Sequence, residues 1–522
     1  MNKKVIKNFA IWARNKLIAD ITYKAGLLGI TEKEIKSPLS QSTRDVQFFD
    51  FGTREPYSIT GVEIKQRSKL VEIIQQKEKQ SDYKTAYKGV IEEVAYTWFN
   101  RLIAVRFMEV NDYLPPRVRV LSSENGAKIE PDLVTSPFDA DLDYSPYEED
   151  RIMQLKNDNQ LDKLFCMLFI KQCNLLNAIL PELFEKTHDY TELLMNVSFT
   201  DKDGVVYHLV HDIPEDDFNV EKEGQVEIIG WLYQYYNTEL KDETFALLKK
   251  NVKITKERIP AATQLFTPDW IVRYMVENSL GRLWLEGHPN GVLKSEWKYY
   301  LDEAEQELEV QAQLDKIREG YKAIKPEDIK IIDPCMGSGH ILVYAFDVLM
   351  QIYESYGYSQ RDAAKNILEN NLYGLDIDNR AYQLAYFAVM MKARQYSRRI
   401  LNGKTKCNLY AIQESNFIDD DLIDFIANSD AKIRADLQSI RNDLHDAKEY
   451  GSILRITPVD FASLIKRIVE IWSIFYDDMF EQQLQYITVE KMLPLIKQAY
   501  VMLQQYDVVV TNPPYMGSSG MS

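Results

Sequence analysis

Cysteine is scarce in this chain: four residues in 522 (Cys166, Cys173, Cys335 and Cys407), with neither a metal-binding spacing nor a disulfide framework among them. Cys166 and Cys173 lie one heptad apart in an apolar helical stretch, where core packing accounts for them. A reduced, cytoplasmic protein without a metal site is expected. No run of about 18 apolar residues occurs, so no membrane span is expected. Lys7, Arg14 and Lys16 interrupt any signal-peptide core, leaving an amphipathic helix at the start. Basic residues are also in deficit: 62 lysines and arginines against 79 acids give a net charge of −17. Phosphate contact relies on Lys and Arg, so most of this surface is not a DNA-binding one. A nucleic-acid enzyme with this balance would gather its basic residues on one face or take them from another domain.

The length predicts more than one domain. Residues 1–260 are mainly helical in pattern. Lys88–Glu109 repeats apolar residues at three and four, as a buried helix face does. The prolines at 115, 116, 131, 137 and 146 make 111–150 an irregular connection. Helix resumes over Leu161–Leu180, and the aromatic-rich Val226–Asn237 reads as core or as an interdomain face. After a basic connection at Asn251–Pro260, strands and helices alternate through 261–522. A strand runs into Asp333, a helix follows from Gly339 to about Tyr356, and a strand covers Leu372–Asp376. A helix over about Arg380–Tyr396, a strand near Leu409–Ile412 and a last strand at Asp507–Thr511 complete the series. Such alternation predicts an α/β fold with a parallel, doubly wound sheet. Charged helical segments interrupt it near 296–320 and 419–505. The chain stops at Gly517–Ser522, just after the fourth strand, so the sheet is expected to be incomplete and the sequence to be the front part of a longer protein.

Two turns carry the chemistry. In Asp333-Pro-Cys-Met-Gly-Ser-Gly339, glycines two apart at a strand-to-helix turn let backbone approach a ligand closely at the carboxyl edge of the sheet. The next strand ends in Gly374-Leu-Asp376, placing an acid where both ribose hydroxyls of a nucleotide can be accepted. Asp378 suits a helix cap. Asn512-Pro-Pro-Tyr515 follows the last strand. It suits a planar exocyclic amine such as the N6 of adenine, whose lone pair is delocalised into the ring. Acceptors from the Asn512 side chain and the Pro513 carbonyl would bind both N6 hydrogens and favour a pyramidal nitrogen. Pro513 and Pro514 stiffen the turn, and Tyr515 would stack on a base that has left the duplex.

Together these motifs resemble those of gamma-type N6-adenine DNA methyltransferases. Gln264-Leu-Phe-Thr-Pro-Asp-Trp-Ile-Val-Arg-Tyr-Met275 is similar to the motif that precedes the glycine turn in that family, with Thr267 and Pro268 against the methionine end of S-adenosylmethionine (SAM). The resemblance implies a Rossmann-like, SAM-dependent domain behind a helical N-terminal domain. Asp333, Pro334, Gly337, Gly339 and Asp376 would hold the cofactor, and Glu414 would contact its adenine ring. Thr97–Ile103 and Asp446–Leu454 extend the likeness to the adenine methyltransferases of BREX phage-exclusion systems. Double-stranded DNA, bound largely through a C-terminal recognition domain not in this sequence, and other phage-defence proteins would be the partners. Weak SAM binding and no turnover are expected of residues 1–522 alone.

His340 follows the second glycine and is expected to pack or cap rather than act as a base. Asp50 with Glu63-Ile-Lys65 has the look of a metal-dependent nuclease, but Glu63–Ile74 reads as helix, and such sites need strands. Two other functions fit parts of the pattern. A protein glutamine N5-methyltransferase shares Asn-Pro-Pro-Tyr but has no need of a long helical front domain. A SAM-gated DNA-binding sensor in phage defence would use that front domain for docking.

Overall fold

The computed structural model describes residues 2–52, 55–79, 81–115, 118–126, 128–184, 190–222, 224–254, 258 and 267–513. They fall into two compact units, one within Met1–Ala262 and one within Thr263–Ser519. The described residues are mixed α/β and mostly helical, with one small parallel sheet among them.

In the first unit, helix α1 (Lys3–Leu27) buries Ile6, Phe9, Ala10, Ala13, Leu17, Ile21 and Ala25, a stripe at helical spacing. It packs on α2 (Tyr83–Val110) and α3 (Ile228–Tyr236). The aromatic-rich segment is core, as expected: Tyr236 packs edge-on against Tyr96 and tilted against Phe99. At the end of α2 the buried Arg106 and Glu109 face each other at 2.7 Å. Glu109 also accepts the Val120 and Leu121 N–H groups, both at 2.8 Å, so both oxygens of the buried carboxylate have donors. Three details differ from expectation. A hairpin pairs Val46–Phe49 (β1) with Tyr57–Thr60 (β2) inside the helical region. Pro146 opens the helix Pro146–Asn157, because proline at the first helical position loses no hydrogen bond, and Ser145 with Glu148 completes a capping box. The helix from Leu161 ends at Leu176 rather than Leu180. Glu63 lies in the first turn of the helix Val62–Glu78, and its carboxylate accepts the Thr60 N–H.

In the second unit, β3 (Ile331–Asp333), β4 (Leu372–Asp376), β5 (Asn408–Ala411) and β6 (Val508–Val509) form a parallel sheet in the order β5-β4-β3-β6. Between β3 and β5 run the helices α4 (His340–Ser355) and α5 (Asn379–Tyr396). Side chains alternate across a strand, so Gly374 faces opposite to Tyr373 and Leu375. A Cβ on Gly374 would stand 2.9 Å from Leu342 of α4 and 2.5 Å from Met336. The other face carries Ile332, Tyr373 and Leu375 into one apolar core with Leu464, Ile468, Ile471, Leu495 and Ile496. The 419–505 insertion is helical, as expected, and it is the layer that covers this second face. The 296–320 segment is helical only from Leu308, in the helix Leu308–Tyr321.

Candidate active site

The glycine turn leaves β3 at Asp333 and enters α4 at His340. Gly337 has φ +53° and Gly339 φ +81°, values that favour glycine. A Cβ on Gly337 would meet open space, whereas one on Gly339 would lie 3.0 Å from Ala385 of α5. The first glycine therefore presents bare backbone and the second lets two helices meet. The Gly337 N–H donates to Asp376 Oδ2 at 2.9 Å, which ties the turn to the end of β4. Asp376 Oδ1 accepts the Asp378 N–H at 2.8 Å, and Asp378 caps α5 by accepting from the Arg380 N–H.

Of the two strand-end acids, Asp333 is buried and Asp376 partly buried. Asp333 is 1% exposed and accepts the Cys335 N–H at 3.1 Å. Burial pushes its carboxyl up to about 7, with the nearby Asp376 charge adding to the rise. Burial likewise pushes Asp376 up to about 6, helped by Asp378. The edge of this sheet thus holds two carboxyl groups raised by desolvation, with no cationic partner to either among the described residues.

Strand β6 brings the far end of the chain to the same edge. The Val510 N–H donates to Ile332 O at 3.0 Å, and Asn512 Nδ2 donates to Thr267 Oγ1 at 2.9 Å. Thr267 is buried, and Pro268 precedes the first turn of helix Asp269–Val276. That bond joins residues 245 apart in sequence. Pro513 is described, while Pro514, Tyr515, Gln264–Phe266 and the 514–522 terminus lie outside the described residues.

Glu414 follows β5 and is half-buried, with its Oε1 accepting the Lys448 N–H at 3.3 Å. His340 is buried at the start of α4, as expected, with Nε2 4.0 Å from Asp269 Oδ1. Ser452 was missed as a site residue: it belongs to the insertion, yet its hydroxyl comes within 3.9 Å of Cys335 Sγ in the glycine turn. Its signal was the Gly451-Ser452 break in an otherwise helical charge pattern.

Residues 370–522 match the Eco57I restriction-modification methylase family. The whole chain aligns with the adenine-specific methyltransferase PglX of Lacticaseibacillus casei (strain Zhang) at 44% identity. It aligns equally fully with the adenine-specific methyltransferase BrxX of Escherichia coli O9:H4 (strain HS) at 37%. The resemblance to adenine methyltransferases is borne out along its full length. The chain spans 43% of each of these two relatives. No helix among the described residues is long and apolar enough to cross a membrane.

Proposed function

We propose that the chain is the methyl-transfer part of a site-specific DNA adenine N6-methyltransferase, acting in a BREX-type phage-defence system. The unit from Thr263 would be the Rossmann-like catalytic domain and the helical front unit a docking domain. The observation that carries the reading is the Asn512–Thr267 hydrogen bond. It joins the amine-binding turn to the segment assigned to the methionine end of the cofactor.

The residues present fit S-adenosylmethionine. The open backbone at Gly337 is a cradle that a side chain would fill, and two carboxyl groups that burial holds above the ordinary carboxylate range gain from a ligand that brings positive charge and a diol. Thr267 and Pro268 would bound its methionine end, with Asp333 and Pro334 beside them, Gly337 and Gly339 shaping the turn, Asp376 on the ribose and Glu414 near the adenine. When bound, the cofactor supplies an electrophilic methyl group.

Asn512 and Pro513 do the rest of the positioning. With its Nδ2 donated to Thr267, the Asn512 amide is oriented so that Oδ1 can accept one N6 hydrogen of a flipped adenine while the Pro513 carbonyl accepts the other. Two acceptors on the amine withdraw its lone pair from the ring and aim it. Pro514 would stiffen the turn, and Tyr515 would stack on the base. After the new N–C bond forms, the N6 proton is acidic and leaves to water, so no enzyme base is required.

Modification-sensitive sequencing of DNA from cells carrying the full gene tests the reading. N6-methyladenine at one sequence motif is expected, and Asn512→Ala should abolish it with cofactor affinity nearly intact. Methylation that survives Asn512→Ala would overturn the assignment. Absence of methyladenine with methylated protein glutamine would move the reaction to an amide substrate.

A further inference from the structure

The tip of the helical insertion, Asp446–Leu454, is fastened to the carboxyl edge of the sheet. Asn416 Nδ2 donates to Asp446 Oδ1 at 2.7 Å, and the Asp446 N–H returns a bond to Asn416 Oδ1 at 3.0 Å. The Lys448 N–H donates to Glu414 at 3.3 Å. Gly451, at φ +63°, lies against Ile377, whose Cγ2 would be 3.5 Å from an added Cβ. Ser452 Oγ stands 3.9 Å from Cys335 Sγ. Ile377 directly follows Asp376, and Cys335 sits in the glycine turn, so the tip reaches both strand ends assigned to the cofactor. The next residue, Ile453, is 81% exposed. A large apolar side chain is thus held in water between Ser452, near the glycine turn, and Leu454, which packs partly buried on the apolar core.

We infer that Gly451–Ile453 is the outer wall of the cofactor site and that Ile453 covers the purine face of the bound nucleoside. The nucleoside end is the planar, largely apolar surface that S-adenosylmethionine brings to this edge, and stacking an aliphatic side chain on it removes apolar area from water on both. This inference deepens the cofactor reading above and rests on it. It also gives the insertion a second role, since the helices that cover one sheet face then carry a lip for the cofactor.

Calorimetry with S-adenosylhomocysteine, using protein expressed from the full gene, tests it. Ile453→Asp is expected to raise Kd at least tenfold, and Ile453→Leu to leave it within twofold. The exposure of Ile453 keeps both variants clear of the core. Asp376→Ala serves as reference. Loss of binding in Asp376→Ala with unchanged binding in Ile453→Asp would overturn the wall and leave the cofactor site standing. Unchanged binding in both, or no binding by the parent protein, would overturn the cofactor reading and the wall together. A lower unfolding temperature of Ile453→Asp with unchanged Kd would make the tip structural only, which also overturns the inference.

Discussion

Asp333 and Asp376 make the carboxyl edge of this sheet sensitive to pH. An acid held above its unfolded value contributes stability that is fully present below about pH 4. That contribution is lost as pH rises through 6 for Asp376 and through 7 for Asp333. A cationic ligand reverses the balance, because it favours the carboxylates and expels their protons on binding. Affinity for S-adenosylmethionine is therefore expected to rise by about tenfold between roughly pH 5.5 and 8. Asp333→Asn should flatten the upper part of that profile. Calorimetry across the pH range in buffers of different ionisation enthalpy would count the protons; a flat profile for the parent would mean that neither carboxyl meets the cation. The positions of these acids were legible because each ends a short apolar run just before a turn. Their burial was not, since it is set by α4, α5 and the insertion closing around them.

The insertion shows most clearly what periodicity can and cannot tell. Leu464, Ile468 and Ile471 lie on one helix face at the spacing the sequence displays, but their partners Ile332, Tyr373 and Leu375 lie 89 to 139 residues earlier. A pattern marks which face is buried and never names its neighbour. The β1–β2 hairpin escaped for another reason: its two four-residue strands expose much of one face and lie among helical patterns. Strand β4 was legible to the residue because its apolar run ends in Gly374-Leu-Asp376. One side chain of the insertion extends the sheet. Gln498 is fully buried, accepts the Gln413 N–H at 2.7 Å and donates to Gln413 O at 3.3 Å, serving as a one-residue strand beside the end of β5. Gln498→Leu would leave both backbone groups without these bonds, at a cost of about 1–3 kcal/mol. A lower urea midpoint is expected. Because Glu414 is the next residue, weaker cofactor binding should accompany it, and an unchanged midpoint would show that water replaces the amide.

At the scale of the molecule, a chain with net charge −17 has no general excess of basic side chains for phosphate contact. The connectivity of the sheet has its own consequence. Lys330 and Asp507 close the β3–β6 pair across 177 residues, the Lys330 N–H donating to Asp507 at 2.8 Å. During synthesis at roughly 5–20 residues per second, β6 trails β3 from the ribosome by about 9–35 s. Once β4 has followed, β3 has β4 on one side and an unpaired edge on the other until β6 arrives. Protease pulses on stalled nascent chains should find the 331–411 region still cleavable when residue 500 has emerged, and protected once residue 513 is out. Early protection would show that the insertion alone shields the edge. Asn512, proposed above to hold the amine, arrives with the strand that covers the free side of β3, so on that proposal the growing polypeptide gains its capacity to react in the same moment that β3 becomes an inner strand.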